Sequence, residues 1–343
     1  MLFSDRPKKS RKDLYDREKE LQEIIDAIEK DSPLILLLGI RRIGKTSVLN
    51  VAIKESGISS IILDLRSLRK NYSRGELYSL LARSLPRDQK VLELLKGLRG
   101  IKILGNEVEI SWKGRDSLSI AELFDRLNLR RIVIAMDEAQ NLRGPLSEEV
   151  KNAIAHAYDY DDKITFILTG SEVGTLLDFL RIDDPSSPLY GRHAVEVNLQ
   201  RFDEANSKEF LRKGFEELGA KVSEREIHKA YELFDGIVGW LSLFGLDYSR
   251  KRDFDEIKEM AINISLAELK SLEGLSHRYL IVLKCIADGE NTWSKVERCL
   301  MQKEKGSIST RTLSSILRNL EKMSIIKDYA FLDPVYKEAS KRL

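Results

Sequence analysis

A lysine and a threonine directly follow the second of two glycines, in a spacing that suits phosphate binding. Gly39, Gly44, Lys45 and Thr46 match the pattern G-x-x-x-x-G-K-[ST] within the stretch LLLGIRRIGKTSVLN. In such a loop glycines let the backbone wrap a phosphate, the lysine reaches the β- and γ-phosphates, and the threonine hydroxyl ligates Mg²⁺. The apolar run before the loop and the helical pattern after it place the loop at a helix N-terminus, which favours anions. The predicted phosphate-binding residues are Gly39, Ile40, Arg41, Arg42, Ile43, Gly44, Lys45, Thr46 and Ser47.

Two carboxylates follow the apolar run IVIAM (132–136). Asp137 leaves the end of this predicted strand at the same sheet edge as the phosphate loop, where it can hold Mg²⁺. Glu138 beside it can accept a hydrogen bond from an attacking water and align that water with the γ-phosphate. By itself the pair is equally compatible with a solvent-exposed acidic turn. The nearby phosphate loop is what favours a catalytic interpretation.

Polar residues also follow the apolar run ITFIL (164–168), the third predicted strand that leads to this sheet edge. Thr169 or Ser171 would reach the same crevice and hydrogen-bond either the γ-phosphate or the water. A second interpretation stays open, because Ser171 followed by Glu172 is also a good helix start.

Strand-like and helix-like segments alternate between Leu34 and Leu199. Runs that are apolar throughout and separated by amphipathic helices indicate a parallel sheet covered on both faces, the doubly wound α/β class. The runs are LILLL (34–38), ISSIILDL (58–65), IVIAM (132–136), ITFIL (164–168) and AVEVNL (194–199). Between the second and the third run, KILGNEVEISW (102–112) alternates around Gly105-Asn106 and predicts an inserted β-hairpin.

Helical patterns dominate after Gln200 and divide into two modules. An all-helical lid is predicted by the segments 203–219, 223–234, 240–250 and 253–270. A winged helix is predicted by three helices followed by two short runs, at 276–287, 292–300, 309–323, SIIKD and YAFLD. We therefore expect an α/β domain at 1–200, a lid at 201–270 and a winged-helix domain at 271–343.

The helix predicted at 309–323 has an apolar face and a polar face. The polar face suits double-stranded DNA, because Arg and Asn can bind base edges while Ser, Thr and Lys hold phosphates. Its residues are Thr310, Arg311, Ser314, Ser315, Arg318, Asn319 and Lys322. Residues 271–343 carry 13 Lys or Arg against 9 Asp or Glu, so the basic excess of the chain lies in this module. DNA is the predicted partner, and a solvated or protein-binding face is the alternative.

The totals limit the classes of function. A net charge of +2 gives no global field toward nucleic acid, and no apolar run is long enough to span a membrane. Cys285 and Cys299 have neither a CxxC motif nor a histidine partner, so we predict neither a disulfide framework nor a zinc site. Without a signal-peptide pattern either, the sequence favours a protein of the reducing cytoplasm.

Taken together, the motifs resemble those of the archaeal ATPase family of P-loop NTPases, relatives of the AAA+ initiator ATPases and of STAND signalling ATPases. The resemblance covers nearly the whole chain, and the motifs that carry it are GIRRIGKTS, DEAQ (137–140), DLYDREKELQEI (13–24), LTGSEVG (168–174), SPLYGR (187–192) and GIVGWL (236–241). The resemblance implies an AAA+ type (ASCE) P-loop ATPase that binds ATP or ADP with Mg²⁺ and carries a C-terminal winged helix.

Further site residues come from this resemblance alone. It implies that Tyr15, Asp16 and Arg17 lie near the adenine. It also implies that Arg192 senses the nucleotide and that the lid motif at Gly236 closes over the base. Two alternatives stay open, since Asp16 could cap a helix and Arg192 could form a structural ion pair.

The lid motif departs from the family at two positions. Val238 stands where proline is usual, and Asp235 stands where a further glycine is common.

The side chains of Arg41 and Arg42 are not needed to bind the phosphates, because the loop does this with its backbone N–H groups and Lys45. They either meet the lid or the C-terminal module and relay the nucleotide state, or they are solvated.

These predictions combine into an ATP-driven switch with slow turnover whose winged helix binds DNA. The alternative of a different class is a signalling or scaffold ATPase whose winged helix binds protein rather than DNA, with a protein partner or self-association of the chain left open. A small-molecule kinase is a third hypothesis, which the Asp137-Glu138 pair disfavours because it suits water as the acceptor.

Overall fold

The computed structural model describes the 343-residue chain except for residues 86–91, 94, 97–99, 105–106, 116, 251–252 and 305. The strands are β1 (Leu34–Leu38), β2 (Ser59–Asp64), β3 (Ile101–Leu104), β4 (Glu107–Ile110), β5 (Ile132–Asp137), β6 (Ile164–Gly170), β7 (Val195–Asn198), β8 (Ile326–Lys327) and β9 (Ala330–Phe331). Five of them form one parallel sheet in the order β2-β5-β6-β1-β7.

Helices follow the strands and dominate the C-terminal half. They are α1 (Glu18–Glu29), α2 (Lys45–Ser56), α3 (Arg74–Ser84), α4 (Ile120–Leu127), α5 (Ser147–Tyr160), α6 (Val173–Leu180), α7 (Glu204–Leu218), α8 (Glu224–Phe234), α9 (Val238–Ser249), α10 (Phe254–Lys270), α11 (His277–Ala287), α12 (Trp293–Glu304), α13 (Thr310–Lys322) and α14 (Pro334–Ser340). None of the helices in the described part of the chain combines the length and the apolar character needed to cross a bilayer.

The central sheet confirms the predicted doubly wound class. Every residue of β1, β5 and β6 is buried, because helices cover both faces of the sheet. On one face the strands pack with α1 and α2, and on the other with α3, α4, α5 and α6. Strand β6 separates β1 from β5, so the loop after β1 and the end of β5 flank the tip of β6.

The parallel register brings the carboxyl ends of the central strands to one edge. Leu38 at the end of β1 pairs with Gly170, and Met136 near the end of β5 pairs with Leu168. Segments that leave these ends therefore meet in a single crevice.

The inserted hairpin is confirmed. Strands β3 and β4 are antiparallel, with Ile101 opposite Ile110 and Leu104 opposite Glu107. The predicted turn at Gly105-Asn106 lies outside the described residues.

The helical lid and the C-terminal helices share one hydrophobic core. Apart from Leu2 and Phe3, its buried members lie between Phe202 and Ala339 and include Trp240, Phe244 and Ile257. The predicted helices and the short hairpin β8–β9 are present, and α14, which the sequence did not predict, packs on α10. The boundaries at residues 200 and 270 stay a prediction.

The N-terminal residues belong to this helical core. Phe3 is 1% exposed and lies edge-on to Phe210 and Phe215. Its ring fills the space beside two helical glycines, because a Cβ on Gly214 or Gly245 would lie 2.3 Å from a ring carbon. The first residues of the chain are thus fixed to the lid.

The prediction that the cysteines form no disulfide is wrong. Cys285 in α11 and Cys299 in α12 are bonded, with their Cα atoms 6.0 Å apart. Sequence spacing gave no signal, because the proximity comes from the packing of α11 against α12. The two cysteines therefore give no support to a reducing compartment. No group of three or more metal-ligating His, Cys, Asp or Glu side chains occurs among the described residues.

Candidate functional site

The phosphate loop joins β1 to the first turn of α2. Gly44 has φ 100° and is the N-cap of α2, a conformation that glycine adopts without strain. At Gly39 a Cβ would lie 2.9 Å from both Ile43 Cγ2 and the carbonyl oxygen of Leu199, so no larger residue fits. The loop therefore presents backbone N–H groups at a helix N-terminus, the arrangement that binds anions.

Lys45 lies inside this loop. Its side chain is 5% exposed, and its Nζ donates hydrogen bonds to the carbonyl oxygens of Gly39 at 2.8 Å and Ile40 at 2.9 Å. Burial lowers the pKa of Lys45 to about 8, although Glu138 and Asp137 act in the opposite direction. A phosphate would replace the two carbonyl oxygens with a stronger, charged acceptor.

Two hydroxyl groups converge on Asp137, which is 2% exposed. Thr46 Oγ1 donates to Asp137 Oδ2 at 3.0 Å, and Thr169 Oγ1 donates to Asp137 Oδ1. Mg²⁺ is usually held by one or two carboxylates together with substrate phosphates and water. The Thr46 hydroxyl and the Asp137 carboxylate fit such an ion, since both are hard oxygen ligands beside the phosphate loop.

Glu138 is fixed by three donors. Its Oε2 accepts from Ser171 Oγ at 2.5 Å, from Gln140 Nε2 at 2.5 Å and from the Ser171 backbone N–H at 3.2 Å. Its own N–H donates to Thr169 Oγ1 at 3.0 Å, and its φ of 58° lies in the left-handed region. Burial alone would raise the pKa of Glu138, but Lys45 and the donors on Oε2 outweigh burial and lower it. Glu138 is therefore held as a carboxylate.

The helix-start interpretation of Ser171 is wrong. Helix α6 begins at Val173 with Glu172 as its N-cap, and no side chain caps it. Ser171 points instead to Glu138. The Ser171 side chain thus belongs to the polar cluster around the acidic pair.

A cleft of about 690 Å³ opens above the loop. The loop, Glu138 and Gln140 form its floor, and the N-terminal segment and α9 form its walls. The N-terminal segment touches the loop directly, because the Lys8 N–H donates to Ser47 Oγ at 3.0 Å. The cleft is large enough for a nucleotide.

Two residues of the segment 15–17 line this cleft beside Phe202. Tyr15 meets the ring of Phe202 edge-on at 5.5 Å, and the Arg17 guanidinium lies 4.5 Å from the centre of the same ring. Tyr15, Arg17 and Phe202 all line the cleft. Asp16 is not the cap of α1, since the N-cap is Arg17 and the Asp16 carboxylate accepts from Asn206 at 2.9 Å.

The family of the chain follows from comparison with known proteins. A family model described as an ATPase domain predominantly from Archaea matches residues 14–244, which is well over half of the chain. The chain belongs to this ATPase family. A second model, the C-terminal winged helix-turn-helix domain of MCM proteins, matches residues 273–339 of this ATPase. No curated protein sequence matches the chain.

One of the solved structures is similar over nearly the whole of this chain. The Walker-type ATPase of Pyrococcus abyssi is 37% identical, with a TM-score of 0.85 over 99% of this chain and 100% of that one. The Orc1 protein of Aeropyrum pernix in complex with DNA is 16% identical, with a TM-score of 0.45 over 92% and 85% of the two chains. RuvB of Thermotoga maritima is 16% identical, with a TM-score of 0.48 over 94% and 92%. Both of these scores lie below 0.5, so no function is inferred from the last two proteins.

The two arginines of the ATPase phosphate loop line the cleft, and both contact Glu268. Arg42 forms an ion pair with Glu268 at 2.5 Å and lies over the ring of Trp240, 4.0 Å from its centre. Arg41 lies 3.6 Å from the same carboxylate. Arg41 and Arg42 could either contact the lid or C-terminal module or be solvated, and in the structure both contact the lid. The lid glycine Gly236 is conformationally required, because φ is 71° and a Cβ would lie 1.9 Å from the Phe202 carbonyl oxygen.

Arg192 lies outside the cleft. It pairs with Asp159 at the end of α5, and its guanidinium lies 5.7 Å from the ring centre of Tyr158. Because Arg192 precedes the first residue of β7, it belongs to the sheet edge opposite the phosphate loop. This ion pair is the alternative that the sequence left open, and the structure does not bring Arg192 together with Lys45.

Helix α6 connects the ATPase crevice to the winged helix. It begins two residues after Ser171 and contacts the last turn of α13. Lys322 Nζ donates to Asp178 at 2.5 Å, and the Val173 N–H donates to Ser324 Oγ at 3.1 Å. Gly174 sits so close to α13 that a Cβ there would lie 2.7 Å from Lys322 Cα.

Sequence reasoning missed several residues of the site. Arg66 lines the cleft and pairs with Asp64, whose position in β2 is directly opposite Asp137 in β5. Gln140 belongs to the DEAQ motif, which by itself does not indicate the hydrogen bond from Gln140 to Glu138. The end of β2 was available as a signal for Arg66, since parallel strand ends share an edge, whereas nothing in the sequence indicates Glu268.

Proposed function

We propose that the protein binds ATP with Mg²⁺ in the cleft, hydrolyses it slowly, and uses the bound nucleotide to control how its winged helix binds double-stranded DNA. The observation that carries the proposal is the contact of α6 with α13, because α6 also follows directly from the tip beside the acidic pair. A change at that tip has a short, rigid route to the candidate DNA-binding helix.

The chemistry assigned to the crevice uses five side chains. Lys45 would bind the β- and γ-phosphates, and Thr46 with Asp137 would hold Mg²⁺, which neutralises charge on the phosphates. Glu138 would accept a hydrogen bond from the attacking water and orient it. The Glu138 donors all bind Oε2, so Oε1 is the oxygen assigned to this task. Thr169 would hold Asp137 and Glu138 in a fixed position relative to each other, since its hydroxyl is hydrogen-bonded to both residues.

Slow turnover is expected from this set of groups. The cation that would stabilise charge developing on the γ-phosphate is commonly an arginine placed within reach of it. Arg41 and Arg42 are engaged with Glu268, and Arg192 with Asp159. A switch benefits from a long-lived ATP state, so slow hydrolysis agrees with the proposed role.

The DNA-binding surface is assigned to the first turns of α13 and not to its end. Thr310, Arg311, Ser315 and Arg318 are exposed. Asn319 instead donates to Tyr279 Oη at 2.7 Å, and Lys322 pairs with Asp178. The two exposed arginines are therefore the cations proposed to meet DNA phosphates or base edges.

The proposal is tested by the affinity for duplex DNA with ATP, with ADP and without nucleotide, at two salt concentrations. Fluorescence polarisation should give an affinity that falls with salt and differs between ATP and ADP, because a switch needs different affinities in its two states. Glu138→Gln should preserve the ATP-state DNA affinity and reduce hydrolysis by about 10²–10⁴-fold, the usual contribution of a positioned acid or base.

A charge-matched control distinguishes DNA binding by the exposed face of α13 from a general electrostatic attraction between the protein and DNA. The double variant Arg311→Ala/Arg318→Ala should weaken DNA binding and reduce the slope of its salt dependence by about two phosphate contacts. Arg69→Ala/Arg83→Ala removes the same charge around α3 and should leave DNA binding unchanged. Absence of salt-dependent DNA affinity in the wild-type protein would overturn the DNA part of the proposal and favour a protein-binding winged helix.

A further inference from the structure

The side chain of Arg42 joins the phosphate loop to the lid. Its two terminal nitrogens donate to the two carboxylate oxygens of Glu268 in α10, at 2.5 and 3.2 Å. Its guanidinium stacks over Trp240 in α9, 4.0 Å from the ring centre. Such a bidentate, stacked arrangement fixes the guanidinium in one place, which a lysine could not reproduce.

The same carboxylate is held from the C-terminal end of the chain. Tyr336 in α14 donates from its hydroxyl to Glu268 Oε2 at 2.7 Å. A second link runs in parallel, because Trp240 Nε1 donates to Asp333 at 2.8 Å and Asp333 caps α14. Both contacts that orient the Arg42 side chain are thus supported by the helix that follows the hairpin β8–β9.

The backbone of Arg42 needs outside support. Its φ of 64° is left-handed, which costs a residue with a Cβ roughly 1–2 kcal/mol. The Gly239 N–H donates to the Arg42 carbonyl at 2.8 Å, and a Cβ on Gly239 would lie 2.7 Å from Arg42 Cβ. The shape of the phosphate loop is therefore determined partly by α9, α10 and α14 and not by the loop alone.

We propose that Glu268 and Tyr336 are positioning residues for nucleotide binding, which hold Arg42 and through it keep the phosphate loop in the shape that accepts phosphates. The proposal rests on ATP binding by the loop, as set out above, and does not depend on DNA. It assigns α14 a part in the nucleotide site although α14 lies almost 300 residues from the loop in sequence.

The charges agree with this arrangement. Burial alone would raise the pKa of Glu268, but the hydrogen bonds and charge of Arg42 outweigh it and lower this pKa. Glu268 is therefore an anion against which Arg42 is held, and Tyr336 supplies it with a further donor. By linkage, any change that pulls α14 away must weaken ATP binding, and ATP must favour the docked α14 to the same extent.

The test measures ATP affinity by calorimetry in Tyr336→Phe, which removes one hydroxyl and keeps the ring. We expect about fivefold weaker ATP binding, the size of coupling typical for residues in one hydrogen-bond network, with a thermal midpoint close to that of the wild type. Tyr279→Phe is the matched control, because it removes a buried tyrosine hydroxyl from the same module, where the partner is Asn319. The control should bind ATP like the wild type.

A double-mutant cycle with Arg42→Lys tests whether Tyr336 affects ATP binding through Arg42. If Tyr336 acts through Arg42, the double variant Arg42→Lys/Tyr336→Phe binds ATP about as weakly as Arg42→Lys alone. Glu268→Gln, nearly isosteric, provides a second variant and should weaken ATP binding at least as much as Tyr336→Phe. Additive effects in the cycle, or unchanged ATP affinity in Tyr336→Phe, overturn the proposal.

The remaining outcomes are also decisive. Equal losses of ATP affinity in Tyr336→Phe and Tyr279→Phe would mean a general structural effect and would overturn the positioning role. Failure of the wild-type protein to bind ATP would instead refute the proposed function, which separates the two failures.

Discussion

The junction between α6 and α13 can be opened by a single methyl group at Gly174. A Cβ there would lie 2.7 Å from Lys322 Cα and 3.2 Å from Lys322 Cβ. Carbon atoms normally pack at about 3.5–4.0 Å, so Gly174→Ala must separate the helices by about 1 Å. That shift would break the 3.1 Å bond from Val173 to Ser324 and the 3.3 Å bond from Thr175 to Lys322.

The energetic effect is the difference of two terms. Overpacking of this kind typically costs about 1–3 kcal/mol. Alanine is favoured over glycine inside a helix by about 1 kcal/mol, and Gly174 is the second residue of α6. The docked arrangement should therefore lose up to about 2 kcal/mol, which changes the docking equilibrium by up to roughly 30-fold.

The expected result is a loss of communication, not of nucleotide binding. In Gly174→Ala the ratio of DNA affinities with ATP and ADP should approach one, while ATP affinity stays within about twofold of wild type. Polarisation measures the first quantity and calorimetry the second. Gly274→Ala is the control, because a Cβ at Gly274 meets nothing within 4 Å. A wild-type affinity ratio in Gly174→Ala, with a melting temperature equal to that of the control, would refute the reasoning.

Four further outcomes are expected. Because the pKa of Lys45 is about 8 in the folded protein, below the usual lysine value of 10.5, the empty protein should gain stability as the pH rises from about 8 toward 10.5. A triphosphate raises this pKa again, so ATP binding near pH 8.5 should take up a fraction of a proton, measured by calorimetry in two buffers and absent in Lys45→Met. Reducing the Cys285–Cys299 disulfide, which spans 14 residues, should lower the free energy of unfolding in urea by about 3 kcal/mol; an unchanged midpoint would contradict this. Arg192→Ala should cost about 1 kcal/mol or less and leave ATP turnover unaltered, because its partner Asp159 is remote from the crevice; a large loss of turnover would restore its sensor role.

Much of the fold could be predicted because its signals are local. The three fully buried strands, β1, β5 and β6, each contain a run of apolar residues, and a strand buried on both faces requires such a run. The capped starts of α3, α4 and α8 are equally local, with a serine followed three residues later by a glutamate. Helix α14 escaped prediction because it is only seven residues long.

The candidate site also has some residues whose position could be predicted from the sequence and others whose position could not. Lys45 and Thr46 are contiguous with the glycines that shape their loop, and Asp137 could be placed beside them because parallel strands end at a common edge. Arg192 shows the limit of the family resemblance, since it lies in a family motif but precedes β7, and the amino end of a parallel strand lies at the edge opposite the phosphate loop. The assignment of catalytic roles to these residues stays a prediction that the Glu138 and Lys45 experiments test.

The sequence by itself determined the parallel sheet, the phosphate loop and the acidic strand end, because each depends on residues that are close along the chain or follow a period. Only the tertiary structure decided that Arg42 meets Glu268, that Tyr336 completes this contact, that Phe3 fills the space beside Gly214, and that Cys285 meets Cys299. The reason is physical: a contact between side chains on different elements, whether 14 or 226 positions apart, depends on how those elements pack, and packing leaves no periodic pattern in either partner.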